Sequence, residues 1–234
     1  IICYTRFNKD GIFMTLNLIL AVAPTVLIVF FILRFDHFQK EPRSLLIKLF
    51  VVGMFTVVPA IILENLIPIY ETDINSVLGK FLYALLGVAL IEESVKFFGA
   101  KIFAYSKPSY NEVYDGIIYC VLVALGFATV ENIFYVLQYG TSVALIRALT
   151  AVPAHAMFGV SMGYYMSLGK ASFRRKGYYH FLSLFVPIFL HGIYDTILFL
   201  QYDFAMLIFI PYLLFMYFRA IQLIQRTNKI QPFQ

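Results

Sequence analysis

Ionisable residues occur inside apolar stretches of this chain at spacings that could support acid–base chemistry. Glu92 and Glu93 are adjacent, and Lys96 follows one helical turn later. Consecutive residues on a helix point about 100° apart, so at least one carboxylate can face the interior of a helix bundle. Lys96 can then supply the opposing charge. A buried carboxylate of this kind is suited to general acid–base catalysis on a water molecule.

A second motif places His191 four residues before Asp195. Residues at this spacing share one face of a helix, so the carboxylate can bond one ring nitrogen of the histidine. That bond fixes the tautomer and leaves the other nitrogen for a substrate, a water molecule or a metal ion. Pro187, one turn earlier, is expected to open the helix locally. The motif therefore predicts a functional histidine.

Three further polar residues complete the set of candidates. Glu131 and Asn132 lie in one apolar stretch, and His155 follows Pro153 in the next. Buried polar residues need partners, and they can serve only to hold helices together. Pro153 is expected to open the helix near His155. We expect Glu131 or His155 to help hold the reacting water, with Asn132 in a supporting role.

Other polar and small residues are interpreted as structural. Glu64 and Asn65 lie near the outer end of the second apolar stretch and are interpreted as interfacial. Asp115 begins the fourth stretch and is interpreted as a helix-end charge. Gly159 and Gly163 form a Gly-x-x-x-Gly spacing, which lets another helix approach closely.

The composition indicates that membrane-spanning helices must position these residues. Of 234 residues, 61% are hydrophobic and only 13% are charged, about half the charged share of soluble domains. A soluble globule of this size could not bury so much apolar surface, and a disordered or nucleic-acid-binding protein would be more polar. Two cysteines, one of them inside an apolar run, also argue against a disulfide scaffold.

Apolar stretches long enough to span a membrane fill most of the chain. A bilayer core of ~30 Å requires about 20 mostly apolar residues per helix. We therefore predict an all-α, polytopic membrane bundle of about seven helices, with residues 1–13 as an N-terminal extension and 14–234 as a single transmembrane domain. The predicted spans are 12–33, 46–69, 77–105, 112–138, 142–168, 179–200 and 203–224.

Basic residues set the predicted orientation. The formal net charge is +5, and most lysines and arginines lie in the loops after the first, third and fifth spans and in the C-terminal tail. The opposite side holds only Arg6, Lys9, Lys80 and Arg147. By the positive-inside rule, the N-terminus lies outside and the C-terminus in the cytoplasm.

Charged residues within the spans are costly, at about 2.5–3.5 kcal/mol each at mid-bilayer on insertion scales. The lowest-energy arrangement has them face one another inside the bundle around water. The residues concerned lie in the third to sixth spans and are Glu92, Glu93, Lys96, Glu131, His155, His191 and Asp195.

Taken together, these motifs resemble the PrsW intramembrane protease family over about residues 14–200. Each motif alone is common, but their order on successive helices is fairly specific. The resemblance rests on Glu-Glu-x-x-Lys at 92–96, Phe-x-x-x-Glu at 127–131, His-x-x-x-Asp at 191–195, Lys-Glu-Pro at 40–42 and Pro-Ala-His at 153–155.

The chain is also similar, more distantly, to the CAAX prenyl endopeptidase superfamily. That group typically shows Glu-Glu-x-x-x-Arg, Phe-x-x-x-His and His-x-x-x-Asn. Here Lys96 comes one position earlier than the arginine, Glu131 replaces the histidine and Asp195 replaces the asparagine. These departures favour the PrsW branch over prenyl-peptide cleavage.

The resemblance implies an integral-membrane endopeptidase of the bacterial cytoplasmic membrane. Family members are associated with the first, extracytoplasmic cut in a single-span anti-sigma factor under envelope stress. Such a membrane protein is therefore the expected substrate and partner, alongside the lipid bilayer and without nucleic acid. By position in the motifs, the essential acids are Glu92 and Glu93, and the essential histidine is His191.

The expected mechanism uses one glutamate of the pair as the general base on a water molecule. His191, oriented by Asp195, would stabilise the oxyanion or protonate the leaving amine. At ~1.5 Å per residue, however, Glu92 lies deeper from the outer face than Asp195. Kinks at the prolines, or a third span that begins near Lys80, would bring the two carboxylates level.

Alternatives to a metal-free protease remain open from the sequence. Glu93, His155 and His191 could hold a catalytic zinc ion with a water molecule, but the His-Glu-x-x-His pattern is absent, and we favour a mechanism with no cofactor. Buried Glu, His and Lys also build proton relays in transporters, although no inverted repeat is evident. A non-catalytic membrane scaffold that binds peptides is the third alternative.

Overall fold

The computed structural model is made of α-helices and describes residues 2–35, 39–66, 76–227, 230 and 233. No strand occurs within these residues, as the all-α prediction requires. The helices are α1 (Ile2–Arg34), α2 (Arg43–Leu66), α3 (Val77–Leu82), a π-helical segment (Tyr83–Ala89), α4 (Leu90–Ala104), α5 (Val113–Tyr139), α6 (Thr141–Leu149), α7 (Ala151–Ala171), α8 (Lys176–Leu200) and α9 (Asp203–Thr227).

Six described helical segments are long and apolar enough to cross a membrane, which confirms a polytopic bundle. They correspond to all the predicted spans except the third, and they are Met14–Arg34, Arg43–Leu66, Val113–Tyr139, Thr141–Ala171, Lys176–Leu200 and Phe204–Thr227. The third predicted span, 77–105, is also helical along nearly its whole length, but its lysines and glutamates interrupt the apolar sequence. α1 runs without a break through the predicted domain boundary at Met14.

The fifth predicted span is broken in two, so the prediction of one helix over 142–168 is wrong in detail. α6 ends at Leu149, and α7 begins at Ala151, because Thr150 has non-helical dihedral angles (φ −122°, ψ −72°). Pro153 then lies in the first turn of α7, where its missing N–H costs no hydrogen bond within that helix. The predicted opening therefore occurs at Thr150, ahead of His155. Pro187, in contrast, leaves α8 continuous.

The central helix is α5, which is buried along most of its length and packs against α2 on one side and α7 on the other. Against α7 the two backbones touch, because a Cβ atom on Gly163 would overlap the carbonyl oxygen of Gly116. A Cβ atom on Gly159 would come 2.9 Å from Val121 Cα, which is also closer than ordinary van der Waals contact. The Gly-x-x-x-Gly spacing therefore does permit the predicted close approach.

Glycines also bring α2 against the other side of α5. A Cβ atom on Gly126 would overlap the backbone oxygen of Phe50, and one on Gly53 would overlap that of Val123. Because α2 and α7 both approach α5 so closely, side chains from the three helices can meet in one region of the bundle.

The predicted basic loops share one end of the bundle. The Asn111 side chain donates to Gln39 Oε1 over 3.0 Å, and Lys170 Nζ donates to the Tyr105 carbonyl over 2.7 Å. Asp115 caps the start of α5 at this end, where its Oδ2 accepts from the backbone N–H of Asn111 and of Glu112. Its interpretation as a helix-end charge is therefore confirmed. The direction in which the bundle crosses the membrane stays a prediction.

We predict that Gly163→Ala destabilises the bundle, because its methyl group would overlap the α5 backbone. Overpacking of this kind costs about 1–3 kcal/mol, which should lower the midpoint of thermal unfolding in detergent. Gly177→Ala is the matched control, because no atom lies within 4 Å of the added Cβ there. Equal unfolding midpoints for the two variants would contradict the close contact between α5 and α7.

Candidate active site

A cavity of about 450 Å³ lies among α2, the π-helical segment and α4 to α8. It brings together side chains that are far apart in the sequence, including five of the predicted site residues. The acidic, basic and histidine residues that line it are Glu64, Glu92, Glu131, Arg147, His155, His191 and Asp195.

Lys96 lies at the centre of the polar cluster and is completely buried. Its Nζ atom is 2.9 Å from Glu92 Oε2 and 2.8 Å from Glu93 Oε1. It also donates to Nδ1 of His155 over 3.2 Å. The same ammonium lies 4.0 Å from the centre of the Phe127 ring, where the face of the aromatic ring attracts a cation. The predicted pairing of Lys96 with the two glutamates is therefore confirmed.

The two adjacent glutamates have different surroundings. Glu92 lines the cavity, so a water molecule or a substrate can reach its carboxylate. Glu93 is 0% exposed and contacts Lys96 and His191 behind the cavity wall. This difference follows from the angle of about 100° between consecutive helical residues.

The imidazole of His191 lies between two carboxylates. Its Nε2 atom is 3.2 Å from Asp195 Oδ2, and its Nδ1 atom is 3.0 Å from Glu93 Oε1. The predicted contact with Asp195 is confirmed, but the expectation that the other nitrogen is free is wrong, because Glu93 occupies it. A doubly protonated ring satisfies both carboxylates, since each nitrogen then carries a hydrogen. The Phe158 ring stacks on the imidazole at 4.8 Å.

The tautomer of His155 follows from its neighbours. An ammonium group can only donate hydrogen bonds, so Nδ1 of His155 must accept from Lys96. The hydrogen of the neutral ring therefore lies on Nε2, which donates to Glu131 Oε2 over 2.9 Å. Glu131 thus holds His155 in the orientation in which it bonds Lys96.

Arg147 completes the cluster, although the sequence did not single it out as a site residue. Its Nη2 atom lies 3.0 Å from Glu131 Oε2 and forms an ion pair with it. The two groups are not aligned for a hydrogen bond. Its Nε donates to Asn132 Oδ1 over 3.0 Å. Asn132 in turn donates to the carbonyl of Ala21 over 2.8 Å, so it ties α1, α5 and α6 together. The signal in the sequence was a basic residue inside a predicted span, shortly before Pro153.

Glu64 also lines the cavity, a role that its interpretation as an interfacial residue did not include. It shares one face of α2 with Val57, Ala60 and Ile61, as their spacing of three to four residues implies. That spacing was the signal available in the sequence. Asn65 lies outside the cavity lining and donates back to the carbonyl of Ile61 within α2.

The predicted difference in depth between Glu92 and Asp195 does not separate them, because both line the same cavity. The π-helical segment directly precedes α4, and hydrogen bonds from i to i+5 place more residues in each turn than an α-helix does. α8 packs closely against this segment, since a Cβ atom on Gly192 would come 2.6 Å from Leu85 Cδ1. His191 is thereby brought beside α4.

Four side chains of the cluster could hold a metal ion. Glu92, Glu93, His155 and His191 each offer one ligand atom, and these atoms lie within 4.8 Å of one another. The Nε2 atom of each histidine contacts a carboxylate, which leaves Nδ1 as the ligand atom. Contacts of this kind orient histidines that bind metals. The donor set therefore fits a zinc ion, and it includes all three ligands predicted for one. Because the Lys96 ammonium lies among the same atoms, it would have to withdraw for a metal to bind.

Comparison with known proteins agrees with the motif resemblance. Residues 41–221 match the model of a family described as PrsW family intramembrane metalloprotease. The chain is 38% identical over 177 residues to the Protease PrsW of Geobacillus kaustophilus, covering 76% of this chain and 77% of that protein. It is 36% identical over 208 residues to the Protease PrsW of Clostridioides difficile, covering 85% and 86%.

A further relative is the Protease PrsW of Bacillus subtilis, which is 36% identical over 180 residues, covering 76% of this chain and 80% of that protein. No solved structure matches the chain significantly. With its apolar helices and these bacterial relatives, the chain is a multi-pass protein of the bacterial cytoplasmic membrane. It belongs to the PrsW family of intramembrane proteases.

Proposed function

We propose that this chain is an integral-membrane endopeptidase that hydrolyses a peptide bond with a water molecule activated by Glu92. The observation that carries the proposal is the contrast between the two adjacent glutamates. Glu92 lines the cavity, whereas Glu93 is fully buried against Lys96 and His191. A general base must reach the reacting water, and only Glu92 of the pair has that access.

In the first step, the Glu92 carboxylate takes a proton from water as the water oxygen attacks the peptide carbonyl carbon. The bond from Lys96 places a positive charge beside Glu92 and fixes the direction of its carboxylate. His155 holds Lys96 from the opposite side, and Glu131 orients His155. These groups act by positioning, since preorganised charges need no rearrangement when the reaction occurs.

In the second step, the C–N bond breaks and the leaving nitrogen receives a proton from His191. The Asp195 side of the imidazole faces the cavity, because Asp195 lines it while Glu93 is buried behind the ring. Nε2 therefore donates the proton, which passes from the contact with Asp195 Oδ2 to the leaving nitrogen, while the bond from Nδ1 to Glu93 Oε1 holds the ring in place. Glu92 then holds the proton from water and His191 lacks one, so one proton transfer through the cavity restores the starting state.

A bound zinc ion would be held by Glu93, His155 and His191, and it would polarise the water or the peptide carbonyl as a Lewis acid. We favour the metal-free mechanism because the Lys96 ammonium already supplies positive charge among these ligand atoms.

The proposed substrate is a single-span membrane protein such as an anti-sigma factor. α2 packs against α4 and α5, while the π-helical segment packs against α8. The side of the cavity that faces lipid therefore lies between α2 and the π-helical segment, and a segment of a neighbouring membrane protein could enter there. With the N-terminus outside, Glu131 and His191 lie within about three turns of the outer ends of α5 and α8, so the proposed cut is on the extracytoplasmic side.

We predict that Glu92→Gln and His191→Ala each lower the cleavage rate by about 10²- to 10⁴-fold, the usual contribution of a general base or acid. The measurement is turnover of a tagged single-span substrate by purified protein in liposomes. Glu112→Gln is the control, because it changes a buried carboxylate at the opposite end of α5. Undiminished cleavage by Glu92→Gln would refute the proposed base. Proton-coupled flux without cleavage would favour a transporter.

We also predict that wild-type protein keeps its cleavage activity after treatment with a strong zinc chelator. The physical reason is that Lys96, and not a metal, provides the positive charge beside Glu92. Metal content per chain should be measured on the same samples before and after chelation. Loss of cleavage on chelation, with recovery on adding Zn²⁺, would contradict the metal-free mechanism and establish the zinc-dependent one.

A further inference from the structure

Glu64 differs from the other carboxylates that line the cavity. Each of the others has a cationic or imidazole partner in the described part of the chain. Glu92 pairs with Lys96, Glu131 with Arg147, and Asp195 lies against the imidazole of His191. Glu64 Oε1 is enclosed by protein and has no hydrogen-bond partner among the described residues.

The balance of charge in the whole cluster also favours a positively charged partner for Glu64. Among the described residues in and behind the cavity wall, the carboxylates outnumber the cationic groups Lys96, Arg147 and protonated His191. Glu64 also lies in the last turn of α2, where free backbone carbonyls add negative potential. A buried carboxylate in such surroundings is stabilised by a positive charge and destabilised without one.

We propose that Glu64 is a specificity-determining residue that pairs with a lysine or arginine side chain of the substrate. The inference rests on the proposed function, because it takes the cavity as the place where the substrate binds. A basic side chain would bond Glu64 directly, and Glu64 Oε1 has no such partner among the described residues.

The geometry indicates how far from the cut bond this basic residue lies. Val57, the first residue of α2 that lines the cavity, packs with Ile91 and Phe127 beside the Lys96 cluster. Glu64 lies seven residues further along α2, or about 10 Å toward its outer end. An extended peptide covers that distance in about three residues. The recognised residue is therefore about three positions from the scissile bond.

The test compares model single-span substrates that carry lysine, glutamine or glutamate at each position within four residues of the scissile bond. We expect wild-type protein to cleave the best lysine substrate about tenfold faster in kcat/KM than its glutamine counterpart, the effect of one charged hydrogen bond. The Glu64→Gln variant should cleave the lysine and glutamine substrates equally, at the rate at which wild-type protein cleaves the glutamine substrate. Glu64→Lys should prefer the glutamate substrate, and Glu64→Asp should keep part of the lysine preference.

The matched control is Asn65→Ser, the neighbouring residue that bonds its own helix and lies outside the cavity lining. It should leave the lysine preference unchanged. Equal wild-type rates on lysine and glutamine substrates at every position would overturn the proposal. An equal slowing of all substrates by Glu64→Gln would also overturn it, because Glu64 would then act on structure or on the reaction itself.

Binding separates failure of this inference from failure of the proposed function. Affinity for the same substrates is measured by fluorescence anisotropy in the Glu92→Gln background, which does not require cleavage. Tighter binding of the lysine substrate that disappears when Glu64→Gln is added supports the recognition role even if the chain proves not to hydrolyse peptides. Equal affinities with and without Glu64→Gln overturn that role, whatever the outcome of the cleavage assay.

Discussion

The contact of one buried ammonium with two carboxylates is the interaction on which the rest of the site depends. Lys96 bonds Glu92, Glu93 and His155 where no part of its side chain is exposed. Each of these charges alone would be costly in a bilayer. Lys96 lies three residues after Glu93 and four after Glu92 on the same helix. The opposite charges therefore come together as soon as this helix forms. The other parts of the cluster attach to this unit: His191 through Glu93, and Glu131 through His155.

Close helix packing makes this attachment possible. Glycine contacts bring the backbones of α2 and α7 against α5, so that Phe127 and His155 both reach the same ammonium. Without a hydrophobic driving force between helices in lipid, such small-residue contacts and buried polar bonds hold the bundle together. The polar cluster and the glycine packing therefore support each other, since a shift of α7 by even a small distance would break the bond from His155 to Lys96.

Most of the spans and of the site could be predicted from the sequence, because a charged residue inside an apolar stretch must find a partner. That argument identified Glu92, Glu93, Lys96, Glu131, His155, His191 and Asp195, and all of them lie in one cluster. It could not say which glutamate faces the cavity, since that depends on the rotation of α4 about its axis. It also missed Glu64 and Arg147, which lie near helix ends where a charge needs no buried partner. The helix break at Thr150 and the second partner of His191 depend on tertiary packing, which no local pattern encodes.

The central claim is tested most directly by the effect of Glu93→Gln on the free energy of unfolding. The effect is measured once in the wild-type protein and once in the Lys96→Met variant, and its sign is compared. Breaking a buried ion pair by removing one partner costs about 3–5 kcal/mol, so Lys96→Met should strongly destabilise the bundle by leaving Glu92 without its ion-pair partner and Glu93 with His191 alone. Glu93→Gln should then destabilise the wild-type protein but stabilise the Lys96→Met variant, as followed by unfolding in detergent. Cleavage should be absent whenever Lys96 is replaced. Destabilisation of equal size in both backgrounds, or full activity without Lys96, would contradict the role assigned to this residue.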